Sequence, residues 1–383
     1  QLESPIVPKK DIPARPGHEL FINQKTLTGD WWGARTAMED GGIWIGVGLT
    51  QIYQLQLNST AGLRTSRHSG RYTGRYDLEI EIDFDKLVGL PGASMYAWAE
   101  GGWSSGIDES SIGSWMGVNS DAYLGNQAIQ LSMMYYQQNL FEDRLRFRIG
   151  KLDASGSAYD VNGHVIGANA NAYAYDENRQ FLNGAFLYDP SIPYPWYSLG
   201  VSGVALPTDW FYMYAALVDD DPSDRGDSST FKTAFGGLSY FFTNIETGFM
   251  TALPQYNGSG ALPGTYRFGL WHQNRPKEDI HGGDKRDDVG FYMSFDQLVF
   301  KERDDAEDTQ GLGLFARFGL ADGDVNPYNT SWSAGAQYEG LIPNRDEDVL
   351  GVGVAQVRFG DYAETVKSRE TAYEAYYRIQ VTP

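Results

Sequence analysis

The chain has 383 residues, of which 42% are hydrophobic and 14% aromatic, with 45 glycines and no cysteine. A formal net charge of −20 argues against nucleic acid as a partner, because its phosphates attract Lys and Arg. The lack of cysteine excludes a disulfide framework and thiolate metal sites, and no apolar run reaches the ~18 residues that a membrane-spanning helix needs.

Residues 1–42 differ from the rest of the chain in having no regular alternation. The first part carries four prolines (Pro5, Pro8, Pro13, Pro16) and predicts an extended arm. Thr28-Gly29-Asp30 can cap a short helix over Trp31–Asp40, which Gly41-Gly42 would end. The chain starts at Gln1 without Met or a signal peptide, so we expect a processed, mature form.

From Ile43 onward, apolar and polar residues alternate with a period of two, which is typical of β-strands. The segment from Arg75 to Phe84 is the clearest example, with Tyr76 and Leu78 on its apolar face. The opposite face is charged and carries Arg75, Asp77, Glu79 and Glu81. About fourteen such strands follow one another, each about 9–12 residues long, the length with which a tilted strand crosses a bilayer. Their expected starts are Ile43, Arg71, Ala93, Gln127, Leu145, Tyr197, Trp210, Thr230, Tyr266, Asp288, Gly311, Thr330, Val349 and Thr371.

Three of these strands carry more specific expectations. In the fourth, the apolar face is predicted to hold Ile129, Leu131, Met133 and Tyr135. The eighth, from about Thr230 to Thr251, is long enough to contain a turn at Thr243-Asn244. The fifth strand places Arg146 and Arg148 on its polar face.

Short and long connections alternate loosely between the strands, as they do in outer-membrane barrels. We therefore predict an all-β fold: a transmembrane antiparallel up-and-down β-barrel over residues 43–383, with residues 1–42 as a periplasmic arm and helix. Its partners would include outer-membrane lipid and lipopolysaccharide. The chain ends at Pro383 with a strand but without a terminal aromatic residue, so we expect one further hairpin and sixteen strands in total.

Several segments, in this order along the chain, together resemble the carbohydrate-selective porins of the OprB type. The resemblance implies a sixteen-stranded barrel in the outer membrane of a Gram-negative bacterium. It also implies a channel, not an enzyme, for passive diffusion of glucose and related monosaccharides, as a monomer or a homotrimer. The matching segments are Leu27–Arg35 (LTGDWWGAR), Gly41–Ile43, Arg148–Asp153 (RIGKLD), Phe315–Gly319 (FARFG), Asp322–Asn326 (DGDVN) and Glu374–Pro383.

The long loop over residues 153–195 is the first candidate for contact with sugar, because in sixteen-strand porins the loop after the fifth strand folds inward and narrows the pore. Its amides and phenols suit sugar hydroxyls, since they both donate and accept hydrogen bonds. The alternative is a surface loop whose Asn and Gly residues form turns. The candidates are Asn169, Asn171, Tyr173, Asp176 and Arg179.

The charged strand faces are the second candidate, because rows of carboxylates and guanidiniums create selectivity in pores. The alternative is an ion-pair network that stiffens the wall. We predict lining by Arg75, Asp77, Glu79, Glu81, Arg146 and Arg148, and more weakly by Trp271 and Arg317.

Other chemistry finds little support in the sequence. The five histidines lack metal-ligand spacing and no nucleophile or phosphate-binding motif is present, so we expect no metal and no cofactor. A general or weakly cation-preferring porin remains an alternative, and a soluble β-rich glycoside hydrolase or lectin is a more distant one.

Overall fold

The computed structural model describes residues 26–57, 70–155, 158–159, 165–220, 240–255, 260–303 and 309–382. Within these residues the chain is all-β, and fourteen strands form one antiparallel sheet. We number them in chain order: β1 Ile43–Leu55, β2 Gly70–Asp83, β3 Ala93–Trp103, β4 Gln130–Leu140, β5 Leu145–Asp153, β6 Tyr197–Thr208, β7 Phe211–Asp219, β8 Phe241–Pro254, β9 Ala261–Gln273, β10 Asp288–Lys301, β11 Gly311–Leu320, β12 Tyr328–Glu339, β13 Val349–Phe359 and β14 Arg369–Arg378.

Each strand pairs with the next along the chain, so the sheet is a continuous meander from β1 to β14. The predicted starts agree with the structure to within a few residues, except at the eighth strand. There the predicted turn was wrong: β8 runs without interruption through Thr243 and Asn244, both of which pair with β7 and β9. The predicted start at Thr230 lies outside the described residues.

The alternation of the sequence appears as two faces of the sheet. A row of apolar side chains crosses four strands in register, because Ile245 pairs with Leu270, Leu270 with Phe291 and Phe291 with Leu320. This row lies on the outer face and stays exposed or half-buried. The other face is polar and includes the charged side chains of β2. A strand with one apolar and one polar face is what a membrane barrel requires.

One β-bulge changes the predicted faces of β4. The register with β3 shifts between Trp98 and Ala99, so the alternation of β4 moves by one residue near Met133. Tyr135 therefore faces inward, next to Arg148, and its place on the outer face is taken by Tyr136. The prediction that Tyr135 belongs to the apolar outer face was wrong for this reason.

The expected short helix is confirmed. A 3-10 turn at Trp31–Gly33 leads into α1, Ala34–Asp40, and Gly41 follows it. The helix lies against the β2–β3 turn, where α2 (Phe84–Val88) is found, and Lys86 Nζ donates to the carbonyl oxygen of Glu39 at 3.3 Å. The predicted arm, residues 1–25, lies outside the described residues. No helix among the described residues is long and apolar enough to cross a membrane.

Two long connections leave from the same rim of the sheet and touch its inner face. We call residues 104–129, between β3 and β4, loop A, and residues 154–196, between β5 and β6, loop B. Laid flat, fourteen strands at about 4.8 Å spacing would separate β1 and β14 by about 60 Å. Yet loop B bonds to Thr50 of β1 through Asn178 and to Glu374 of β14 through its backbone. The sheet must therefore curve around the two loops.

Candidate functional site

Loop B fills part of the space inside the curved sheet and is held mainly by strands β10 to β14. The Asn171 side-chain amide donates to the carbonyl oxygen of Phe295 on β10 at 3.0 Å. The guanidinium of Arg317 on β11 donates to three carbonyl oxygens of loop B, those of Asn169, Ala174 and Phe186. These bonds satisfy backbone groups that would otherwise be buried without partners.

Apolar packing completes this attachment. Phe181 and Phe186 stack with ring centroids 4.5 Å apart, and Phe181 also meets Phe315 and Tyr376 edge-on. The segment over Gly184–Leu187 is a short helix, α3, and all four of its residues are buried. Aromatic contacts of this kind add to the free energy of burial. Loop B is thus packed like a protein core on one side.

Gly313 of β11 shows how closely the loop approaches the wall. A Cβ atom added at Gly313 would lie 2.1 Å from the ring of Tyr173, so any larger residue would require the ring to move away from the wall. Burial also raises the pKa of the Tyr173 phenol, and the nearby carboxylates of Asp296 and Glu339 raise it further.

Four predicted lining residues lie inside this packed region. Asn169, Asn171 and Trp271 are each 1% exposed, and Arg317 is 4% exposed. The Asn169 side-chain oxygen accepts from the backbone of Asp189 and from the Tyr194 hydroxyl, and the Trp271 ring stacks on Phe242 at 6.2 Å. These side chains therefore present almost no surface to a solute inside the sheet.

A cluster of charges centred on Arg75 connects β2 with both loops. Its guanidinium lies 2.9 Å from Asp121 of loop A, 2.8 Å from Glu177 of loop B and 3.3 Å from Asp77 on its own strand. Arg75 itself is 3% exposed. Burial raises the pKa of Asp121 to about 7, although the positive charge of Arg75 acts in the opposite direction. One guanidinium thus faces three carboxyl groups.

The predicted residues Glu79, Glu81 and Arg148 lie on a more open stretch of wall. The Tyr96 hydroxyl donates to Glu79 at 2.6 Å, and Arg148 donates to the Gln137 side chain at 2.8 Å. Glu81 is exposed, while Glu79 and Arg148 are half-buried. We call Glu79, Glu81, Tyr96, Tyr135 and Arg148 the wall patch. Arg146 is more buried than Arg148, and its guanidinium donates to the side-chain oxygen of Asn139 at 3.2 Å.

The two tyrosines of the wall patch were missing from the predicted site. Their rings lie 5.4 Å apart, and the Arg148 guanidinium lies 4.7 Å from the Tyr135 ring. Tyr96 could have been found, because it alternates with outward-facing Met95 and Ala97. The bulge in β4 concealed Tyr135, since it breaks the simple alternation.

The tip of loop B, residues 176–179, combines two exposed residues, Asn178 and Arg179, with two half-buried carboxylates. Arg179 is the most exposed of the predicted cations, with 73% of its side chain accessible and Asp176 at 3.7 Å. Burial raises the pKa of Asp176, and the charge of Glu177 adds to this effect. The exposed polar groups of the tip and of the wall patch can exchange hydrogen bonds with a passing solute.

Comparison with known proteins assigns this arrangement to a family. The family model of the carbohydrate-selective porins, OprB family, matches residues 67–383. The chain belongs to this family. It is therefore a sugar-selective channel of the Gram-negative outer membrane, and the carboxylates, guanidiniums and tyrosines described above lie on the inner side of its barrel wall.

Individual relatives are distant in sequence. Porin B of Pseudomonas aeruginosa is 22% identical over 372 residues, which cover 91% of this chain and 76% of the relative. The structure of Pseudomonas putida OprB at high pH superposes with a TM-score of 0.79 at 20% identity, covering 95% of this chain and 92% of the other. Its low-pH structure gives a TM-score of 0.57 at 16% identity, with coverages of 94% and 90%. These likenesses support the fold.

Proposed function

We propose that this porin admits glucose and related neutral monosaccharides by passive diffusion, and that they pass between the tip of loop B and the wall patch. The wall patch supports this proposal most directly. Glu79 and Glu81 offer acceptors, Arg148 offers several donors in one plane, and Tyr96 and Tyr135 offer both hydroxyls and apolar ring faces. A pyranose presents the complementary groups: a rim of hydroxyls around apolar C–H faces.

The position of the wall patch agrees with this role. Loop B is attached to β2 at Arg75. Glu79 and Glu81 lie further along β2, closer to the short β2–β3 turn. Asp176 and Arg179 project from the loop above. A solute that passes the tip therefore meets acceptors on β2 and donors on the neighbouring strands β3 to β5, which suits repeated exchange of hydroxyl contacts.

We assign the four candidates that are buried where loop B packs on the wall a different task within this proposal. Asn169, Asn171 and Arg317 hold the backbone of loop B, and Trp271 packs beneath it. Their substitution would alter the pore by moving the loop and not by removing a contact with sugar.

The experiment compares uptake of glucose, of a neutral amino acid of similar size and of small ions by liposomes that contain the porin. We expect glucose to be preferred, and Tyr135→Ala and Arg148→Ala each to reduce this preference. Tyr136→Ala and Arg144→Ala are matched controls, because Tyr136 faces outward and Arg144 pairs with Asp209 at the turn. Equal entry of all solutes, or equal effects of test and control variants, would contradict the proposal.

A weakly cation-preferring pore is the second candidate, favoured by the Arg75 cluster with its three carboxyl groups against one guanidinium. A reversal potential measured across a KCl gradient distinguishes the two. A modest preference for K⁺ over Cl⁻, together with unselective entry of neutral solutes, would support this second function.

For its partners we propose a monomer surrounded by lipid, with lipopolysaccharide in the outer leaflet. The apolar row of Ile245, Leu270, Phe291 and Leu320 is continuous across four strands, with no polar break that would suit a protomer interface. Native mass spectrometry in detergent would show one subunit if this is right and three if the porin is a homotrimer.

A further inference from the structure

An uninterrupted series of bonds inside the barrel connects β14 with β1 and β2. On β14 the carboxylate of Glu374 accepts from two successive backbone N–H groups of loop B, those of Leu182 at 2.7 Å and Asn183 at 2.9 Å. The carbonyl oxygen of Leu182 in turn accepts from the backbone N–H of Ser120 in loop A at 2.9 Å. At this junction between the loops, the N–H groups of Leu182 and Asn183 and the carbonyl oxygen of Leu182 all have hydrogen-bond partners.

Loop A continues the series to β1 and β2. The Gln54 side chain on β1 donates to the carbonyl oxygen of Val118 at 3.2 Å and accepts from the Asn119 amide at 3.0 Å. One residue beyond Ser120, Asp121 pairs with Arg75 on β2 at 2.9 Å. The two loops thus form one bridge whose ends are attached to β14 and to β1 and β2.

We infer that Glu374 is a positioning residue for selectivity: it holds loop B against loop A and so sets the width of the passage beside the bridge without touching sugar. This inference rests on the proposed function, because it assigns the control of that same passage. The carboxylate is half-buried and both of its oxygens are occupied by the loop backbone. Charge-assisted bonds of this kind are stronger than those between neutral groups.

The local packing explains why this one side chain matters. Leu182 and Asn183 lie between Phe181, which packs on Tyr376 of the same strand at 5.0 Å, and the short helix α3 that begins at Gly184. Without Glu374, two neighbouring N–H groups lose their acceptor at the junction with loop A. The aromatic contact, together with the bonds of Glu177 to Arg75 and of Asn178 to Thr50, would keep the loop inside the barrel, while the segment from the tip to Asn183 would lose one of its attachments and become more mobile.

The test uses Glu374→Ala and Glu374→Gln in the complete porin. We expect ion conductance to rise, and the preference for glucose over a neutral amino acid to fall by about five-fold or more in the alanine variant, since a displacement of about 1 Å can cost a positioned site up to 10²-fold. Glutamine keeps the volume and one acceptor oxygen, so its effect should be smaller. Glu364→Gln is the control, because Glu364 is exposed in the β13–β14 connection.

A spin label provides a readout that does not depend on sugar. The chain has no cysteine, so a label at Arg179→Cys is unique and reports on the tip of loop B. We expect it to become more mobile in the Glu374→Ala background and not in the Glu364→Gln background. An unheated, folded barrel should run faster on a gel than the heated protein. If Glu374→Ala lacks this faster band, it has not folded, and the test is then made with Glu374→Gln.

The outcomes separate the two proposals. A glucose-selective wild type with unchanged selectivity and an immobile label in both Glu374 variants would overturn the inference and leave the proposed function intact. An unselective wild type would overturn the proposed function, and with it the control of selectivity assigned to Glu374.

Discussion

Replacing Arg317 by Met should detach loop B from the wall. The guanidinium is 4% exposed and donates to the carbonyl oxygens of Asn169, Ala174 and Phe186. Methionine fills much of the same volume but donates nothing, so three buried carbonyl groups lose their donor. Each such loss costs about 1–3 kcal/mol.

The net cost is smaller than the sum, because a buried charge is removed at the same time. Breaking a buried charged network by removing one partner typically costs about 3–5 kcal/mol, and we expect a value in this range. At about 1.4 kcal/mol per factor of ten, the detached loop would become about 10²-fold to several thousand-fold more populated. Most of this change should appear as local opening, since the strand pairing of β11 with β10 and β12 does not involve the side chain.

Limited proteolysis of the folded porin in detergent measures this opening directly. Cleavage within residues 165–196 should accelerate in Arg317→Met, and the denaturant midpoint should fall. Arg179→Met is the matched control: it removes the same charge from loop B itself, but 73% of that side chain is accessible. Equal cleavage rates in the wild type and both variants would refute the argument that these three bonds hold the loop.

Two further predictions concern packing and pH. Trp271→Ala should lower the free energy of unfolding by about 3–5 kcal/mol, because the ring is fully buried; the control Trp32→Ala, at a fully exposed ring, should leave the denaturant midpoint unchanged. Docking of loop A should weaken as the pH rises from about 4 to about 7, since the docked state raises the pKa of Asp121 from 3.8 to about 7 and therefore binds a proton more tightly than the free loop. Proteolysis of residues 104–129 should then be faster at pH 8 than at pH 5, and Asp121→Asn should abolish this difference.

The sequence by itself was sufficient for the strands and most of their faces. Alternation with a period of two depends only on neighbouring residues, so Arg75, Asp77 and Arg148 could be placed on the inner face before any contact was known. The short helix after Asp30 could be predicted for the same reason, from a local cap and a local stop. The resemblance of short segments then led to the family, which the match over residues 67–383 confirms.

Only the tertiary structure decided which inward side chains meet the solute. Arg317 and Arg148 both lie on the inner faces of their strands, yet one is buried under loop B and the other is half-buried. The difference arises from where the loop docks, and that depends on contacts between residues more than a hundred positions apart, such as Arg75 with Glu177. The bulge that turns Tyr135 inward is likewise a property of the pairing between two strands, so no pattern within one strand could reveal it.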